Sequence, residues 1–223
     1  MALRPIKGEP GKFLDTVSGE VLDISDYRED DKYDTVAIRA GAVAENTKFL
    51  FFAEFLGSKQ LIDTNIQQLR QLSQGEEMIV DRVGMTVSSA TGNTLPTPAD
   101  IKKVVENAFV TFTVNRLVLV EGPLIKFPSG YGLHGNTVET GQGIVSIGTP
   151  STAAASKLLK TQLLTSQHQF QGVMTFLDRN WGDATSGIIA AIPIPADRMP
   201  TLANPVSCKA WFHGLLKVAS TKN

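Results

Sequence analysis

The stretch Phe109 to Gly135, FVTFTVNRLVLVEGPLIKFPSGYGLHG, decides how the rest of the chain is read, because it joins an extended two-faced run to a rigid Pro/Gly turn. Its even positions Val110, Phe112, Val114, Val118 and Val120 form a nearly unbroken apolar face. The odd positions carry Thr111, Thr113, Asn115 and Glu121 among their apolar members, so the period of two predicts one very long strand with one side on a core. Pro123 and Pro128 remove two backbone donors, which predicts a short edge or bent extension over 124–127 rather than a central strand. With Gly130 and Gly132 supplying conformational freedom, Pro123, Pro128, Gly130 and Gly132 are expected to make a structural corner, scaffold rather than chemistry.

Upstream, residues 1–34 have little periodicity and include the charged run DISDYREDDKYD, Asp23 to Asp34, which reads as an N-terminal arm or extension. Its apolar anchors for assembly would be Ile6, Phe13, Leu14, Val17, Val21 and Leu22. A single β domain over 35–223 follows. Tyr33 to Ala44 predicts a first strand, and Lys48 to Leu56, apolar on both faces, a strand covered from both sides with Phe49, Phe51, Phe52 and Phe55 in the core. Ile66, Leu69 and Leu72 at three-residue spacing fit a short helical turn within Gly57 to Gly75. Glu77 to Ser89 predicts a long strand with Ile79, Val83, Met85 and Val87 on one face and Asp81 as the exception.

Thr97-Pro98-Ala99-Asp100 has the pattern of a helix start, with Thr as cap and Pro at the first helical position. Ile101, Val104, Val105 and Ala108 then share one face of a helix of about three turns packed on the sheet. After a Gly/Ser-rich stretch with one strand at Gly143 to Ile147, Pro150 to Leu164 fits a second helix with Ala155, Leu158, Leu159 and Leu163 on one side. Three strands follow at Phe170 to Leu177, Gly187 to Ile194 and Val206 to Phe212, the last continuing toward Val218. In it Val206, Cys208, Ala210 and Phe212 alternate with Ser207, Lys209, Trp211 and His213, a buried and an exposed face. No internal repeat occurs, against a propeller or solenoid.

The 223 residues suit one all-β domain, and 42% hydrophobic and 19% charged residues suit a buried core, with 19 Gly and 11 Pro for turns. A net charge of -1 from 21 basic and 22 acidic residues gives no field that would draw in nucleic acid or an anionic membrane. The lone Cys208 excludes an internal disulfide, fits a reducing compartment, and is expected in the core. No run approaches the ~20 apolar residues of a spanning helix, and Met1 to Pro10 lacks a signal-peptide core, so neither export nor membrane crossing is expected.

Chemistry is sparse. Gly130-Tyr131-Gly132-Leu133-His134-Gly135 matches G-x-G-x-x-G, but no helix and no parallel βαβ pattern surround it, so a turn is expected and no cofactor. His134, His168 and His213 are far apart and lack metal-ligand spacing, and alternation puts Cys208 on the apolar face. Glu76, Glu77, Asp81, Asp178 and Asp183 supply carboxylates of the kind sugar hydrolysis needs across a cleft, though such residues in strand-flanking turns are usually solvated. Gly182 to Gly187 reads as a hairpin turn, and Trp181, Trp211, Tyr131 and Phe127 as material for a stacking platform without interleaved Arg or Lys. No catalytic, cofactor or metal residue is therefore assigned.

Several segments in order resemble the jelly-roll capsid (coat) proteins of tailless icosahedral bacteriophages, particularly the small coat proteins of membrane-containing types. They are FLFFAEFLGSKQLIDTNIQQL, GEEMIVDRVGMTV, the short helix, and FVTFTVNRLVLVEGPLIKFPSGYGLHGN, with Pro-Leu-x-x-Phe-Pro-x-Gly-x-Gly at 123–132 carrying most weight; together they span 49–136. The resemblance implies a single eight-stranded jelly-roll sandwich with one short inserted helix, or alternatively a compact double jelly roll. It implies a non-enzymatic shell subunit, assembled in the host cytoplasm into the virion as trimers or pseudo-hexameric capsomers. Its partners would be further copies, other capsid proteins and, in membrane-containing types, an internal membrane or membrane protein, with no sequence-specific nucleic acid. The competing reading from the residues is a monomeric carbohydrate-binding β-sandwich module or glycosidase.

Overall fold

Two left-handed residues, Asn115 (φ 48°) and Arg116 (φ 68°), split the run expected as one long strand into a hairpin. Positive φ at both central positions of a two-residue loop matches the twist of the strands it joins, and Asn adopts it readily. The Asn115 side chain accepts the Gln169 N–H at 2.9 Å, which holds the turn. The computed structural model describes residues 3–15, 19–44, 46–89, 98–128, 133–134, 146–147, 155–177 and 201–217. Gly130 and Gly132 of the expected corner, Val17, and the strand expected at Gly187 to Ile194 lie outside them.

In chain order the strands are β1 (Leu3–Pro5), β2 (Lys12–Asp15), β3 (Val21–Asp23), β4 (Arg28–Ile38), β5 (Gly41–Ala42), β6 (Lys48–Phe51), β7 (Glu77–Ser89) and β8 (Ala108–Val114). They continue with β9 (Leu117–Pro123), β10 (Leu133–His134), β11 (Ser146–Ile147), β12 (Ser156–Thr165), β13 (Phe170–Phe176), β14 (Thr201–Leu202) and β15 (Val206–Lys217). Helix α1 (Pro98–Asn107) stands between β7 and β8, and 3₁₀ turns occupy Ile24–Asp26 and Leu124–Lys126. The protein is mainly β, and its sheets are antiparallel. Two four-stranded sheets, ordered β12-β7-β15-β4 and β6-β13-β8-β9, hold every described strand of seven or more residues together with β6.

The two sheets pack face to face on one core. Phe212 of β15 is its centre, with ring centroids 5.2 Å from Phe52 and 5.4 Å from both Phe112 and Phe170. Alternation holds cleanly in β8 and β13, where every second residue is buried. In β15 the expected core face Val206, Cys208, Ala210 and Phe212 is buried. Its other face is half-covered rather than open, and His213 on that side is buried, because Asp31 and the loop at 61–63 fold against it.

A bulge corrects the expected face of β7. Arg82 pairs with His213 but Val80 pairs with Gly214, which leaves Asp81 as the extra residue. Parity flips there, so Met78 and Val80 join Val83 and Met85 in the core, and Ile79 is buried outside that cluster. Opposite, β12 pairs Lys157 with Arg82 and then Gln162 with Val80, so residues 158–161 loop out of the ladder. The helix expected over Pro150 to Leu164 is thus a strand from Ser156 onward. Leu158 is buried while Leu159 is fully exposed.

Other expectations also change. The strand expected over Lys48 to Leu56 ends at Phe51, because Phe52 turns to φ 63° and donates its N–H to the buried Asp34 carboxylate at 2.6 Å. Phe51 and Phe52 are core residues and Phe49 packs against the core, its ring 5.9 Å from Phe176, but Phe55 is 45% exposed. The segment Gly57 to Gly75 forms turns and bridges rather than a helical turn, with Ile66 and Leu72 buried and Leu69 exposed. Val118 is also exposed: the two-residue loop sets Leu117 opposite Val114 and so Val118 opposite the outward Thr113, and the bulge beyond it returns Val120 to the side of Phe112. Over 124–127, the expected bent extension is a 3₁₀ turn that buries Leu124 and Phe127, and the Phe127 carbonyl accepts the Met85 N–H at 2.7 Å.

Strands β1, β2 and β3 form a three-stranded sheet outside both large sheets. Of the proposed anchors, Ile6, Phe13, Leu14 and Leu22 are half-buried and Val21 is 55% exposed. The charged run is no loose segment: from Arg28 it is β4, paired with β15 along its whole length, so the strand crosses the expected boundary at residue 34. Helix α1 begins at Pro98 as expected, with Val104 in the core. Asp100 also reaches beyond the helix, accepting the N–H groups of Ala203 at 2.9 Å and Asn204 at 3.1 Å just before β15.

Candidate functional site

Two kinds of surface stand out, a polar cleft on the outer face of the β12-β7-β15-β4 sheet and two apolar flanks of the sandwich. The cleft holds about 400 Å³ between Phe13 of β2 and the sheet, with Ile79, Asp81, Arg82 and His213 among its walls. His213 Nδ1 stands 2.9 Å from the Asp31 carboxylate, so the ring donates there, and its imidazole stacks on Trp211 at 5.9 Å and 8°. Trp211 in turn donates its indole N–H to Thr86 at 3.0 Å. These contacts fix the ring between neighbouring strands, a bracing role for an Asp–His pair. The pair joins the first and last long strands, so only a knowledge of their pairing would have found it.

The other sequence candidates do not converge on it. His168 Nδ1 accepts the Thr165 N–H at 3.0 Å and braces the turn before β13, and burial lowers its pKa. His134 lies in β10, paired with Ser146 of β11. Glu76 grips Lys32 with both carboxylate oxygens at 3.1 Å and caps the Ser73 N–H, Glu77 accepts the Tyr27 hydroxyl at 3.0 Å, and Asp81 pairs with Arg82. Asp178 and Asp183 lie outside the described residues, as do Tyr131 and Trp181. Phe127 is in the core and Trp211 on the outer face, so they form no common platform. Among the described residues, no three His, Cys, Asp or Glu side chains are placed to hold a metal ion, and no helix is long and apolar enough to cross a membrane.

Cys208 points into the core opposite His213, five residues along a strand of period two. Burial alone pushes its thiol up to about 12. We expect a thiol reagent at neutral pH to modify the native protein on the order of 100-fold more slowly than the unfolded chain, because reaction must await opening of the sheet. Equal rates with and without denaturant would contradict the placement.

The flanks are where apolar groups meet water. On one, β9 and β12 border a seam of about 500 Å³ lined by Val118, Leu119, Leu158 and Leu159, with Leu117 72% exposed beside it. On the other, beside β4 and β6, the turn-rich segment 52–72 exposes Phe55, Leu61, Ile62 (64%) and Leu69. That segment also blocks the β4 edge: the Asn65 side chain accepts the Tyr33 N–H at 2.9 Å and donates to the Asp31 carbonyl at 2.6 Å, standing in for a neighbouring strand. Comparison of the chain with protein-family models, curated proteins and solved structures finds no match.

Proposed function

We propose that this chain is a structural capsid subunit, a single jelly roll that assembles into an icosahedral shell through its flanks, loops and N-terminal segment. The observation that carries the reading is the pairing order of the eight strands that make up the two four-stranded sheets. Counted from β4 to β15, the first pairs with the eighth, the second with the seventh, the third with the sixth and the fourth with the fifth. One long hairpin has this pairing. Rolling that hairpin round a core sets the eighth strand beside the third and the seventh beside the fourth, which are the remaining contacts of the two sheets. A rolled hairpin of eight strands is the plan of jelly rolls, used by viral capsid and lectin domains.

Fold alone does not choose among these hosts. The shell is favoured by the Pro-Leu-x-x-Phe-Pro-x-Gly-x-Gly resemblance at 123–132, by a near-zero net charge that lets copies crowd, and by apolar side chains on both flanks. On this reading the chain works by contact and not by turnover, in the virion, with further copies and other capsid proteins as partners. Light scattering and electron microscopy of the purified protein are expected to show trimers or larger rings, and regular shells as concentration rises. A monomer at every concentration would overturn the reading, and its retention on a polysaccharide column would replace it with a carbohydrate-binding sandwich.

A further inference from the structure

We propose that Asp34 and Lys59 condense to an isopeptide bond, a covalent staple from β4 to the turn-rich segment 52–72, with Glu54 as the proton carrier. Such a bond belongs to one folded chain and needs no second copy, so it goes beyond the assembly reading and stands or falls apart from it. Asp34 faces the core from β4 and is fully buried, as is Thr64, with which it forms a bridge. Lys59 arrives on a tight turn with Gly57 at φ 119°, where its N–H donates to the Phe55 carbonyl at 3.3 Å and its carbonyl accepts the Gly57 N–H at 3.2 Å. Its Nζ stands 2.9 Å from Asp34 Oδ1 and 2.7 Å from the Thr35 carbonyl. Glu54 Oε2 lies 3.6 Å from the same Nζ, and its side chain is more than half exposed, so it links the buried amine to solvent.

The atoms balance with the loss of one water and need no other reactant. The Lys59 ammonium passes a proton along its hydrogen bond to Asp34 Oδ1, which leaves a neutral amine beside a neutral acid. Burial, which raises the Asp34 pKa, favours that form. Nζ then attacks Cγ, and the charge that gathers on Oδ2 meets the Phe52 N–H, 2.6 Å away. Glu54 takes the surplus proton from the nitrogen and returns it to the Oδ1 hydroxyl, which leaves as water. Two groups held at this range react as one molecule, at effective concentrations on the order of 10⁵ M or more.

The site already offers what the product needs. The new amide N–H meets the Thr35 carbonyl, and the amide oxygen keeps the Phe52 N–H, so both of its buried polar groups are partnered. Two buried charges vanish in the process, whereas a pair that stays ionic goes on bearing the cost of their desolvation. The Lys32–Glu76 pair is an internal control. It is comparably buried, but among the described residues no second carboxylate comes within ion-pair distance of its Nζ, and Glu76 grips that Nζ with both oxygens at 3.1 Å.

The test is the intact mass of the full chain, read fresh and after incubation of the folded protein at neutral pH. Wild type is expected to become lighter than its sequence by one water, and its trypsin digest to hold a branched peptide joining Asp34 to Lys59, with cleavage after Lys32 unhindered. Lys59→Arg keeps a cation beside Asp34 but offers no amine, and is expected to stay at full mass. Glu54→Gln keeps the pair without the proton carrier, and is expected to form the bond about 100-fold more slowly. Until the bond forms, in that variant and in freshly folded wild type alike, the pair is ionic and titrates as such. Thermal melting checks that both variants fold, and the wild-type mass needs no variant at all. Full mass in the incubated wild type overturns the staple, as does an equal loss of water from Lys59→Arg, the result that cyclisation at another Asp would give. A bond that forms as fast in Glu54→Gln overturns the role given to Glu54.

Discussion

Asp34→Ala is expected to lower the free energy of unfolding by about 3–5 kcal/mol at neutral pH, the cost of breaking a buried pair by removing one partner. Asp34 is fully buried on the core-facing side of β4. Its carboxylate accepts the Lys59 ammonium at 2.9 Å and the Phe52 N–H at 2.6 Å, and Lys59 itself is only 15% exposed. Alanine leaves an ammonium and a backbone donor without that acceptor, and frees Phe52 from the left-handed conformation that ends β6. Denaturant melts of the two proteins measure the difference, and a loss below about 1 kcal/mol would mean that solvent reaches the pair.

The same residue sets a pH dependence. Burial raises the Asp34 pKa above the ordinary 3.8, with Lys59 and the Phe52 N–H opposing. The native chain therefore keeps this proton to higher pH than the unfolded chain does. Its contribution to stability falls as pH rises from about 3.8 through the native value and is level above it. The difference between wild type and Asp34→Ala is accordingly expected to be larger near about pH 4 than at about pH 7, a trend opposite to that of an exposed, salt-bridged carboxylate.

Gly214→Val is expected to cost about 3 kcal/mol or more, enough to lower Tm by roughly 10 °C. A Cβ at Gly214 would stand 1.9 Å from the Ile79 carbonyl oxygen and 2.8 Å from its carbon, so the obstacle is backbone and no rotamer relieves it. The crowding arises where the Asp81 bulge swings β7 toward β15, and accommodating a side chain would break the ladder between the two strands. Gly19→Ala is the control. Gly19 has φ 76° and nothing within 4 Å, so its cost is backbone strain alone, about 1 kcal/mol. Equal melting shifts in the two variants would contradict the close approach at the bulge.

The elements with strict patterns are legible in the sequence. The bounds of β7, the start of α1 at Pro98, β13, and the core face of β15 all follow from periodicity and capping. The hairpin at Asn115 was hidden for a geometric reason. A two-residue loop inverts odd-even parity, as Val114 opposite Leu117 shows, and the extra residue Leu119 inverts it again, so Val120 lies opposite Phe112 as though the alternation of β8 had run on unbroken. The one available signal was the Asn itself.

The false helix near 150–164 has a matching cause. The loop-out at 158–161 resets the parity of β12, so Ala155, Leu158, Leu159 and Leu163 fall at intervals of three and four, which imitate a helical face. Bulges mislead a period-based reading because each inserts residues that the period does not count. The candidate surfaces were the least legible. Asp31 and His213 are 182 residues apart, and which leucines remain in water depends on where β9 and β12 bulge.

The place of β15 has a consequence for how the chain reaches this state. It is the last long strand, yet it lies inside its sheet, hydrogen-bonded to β7 on one side and β4 on the other. During synthesis both of those strands leave the ribosome without the neighbour that joins them, and their ladders with it cannot form until residues 206–217 arrive. Loop closure over such separations is slow, so folding is expected in milliseconds to seconds rather than microseconds, and only once nearly all of the described chain has emerged. A nascent chain stalled before residue 206 would hold two open strand edges and an aromatic core without its central Phe212, the condition in which chains pair with one another instead of with themselves.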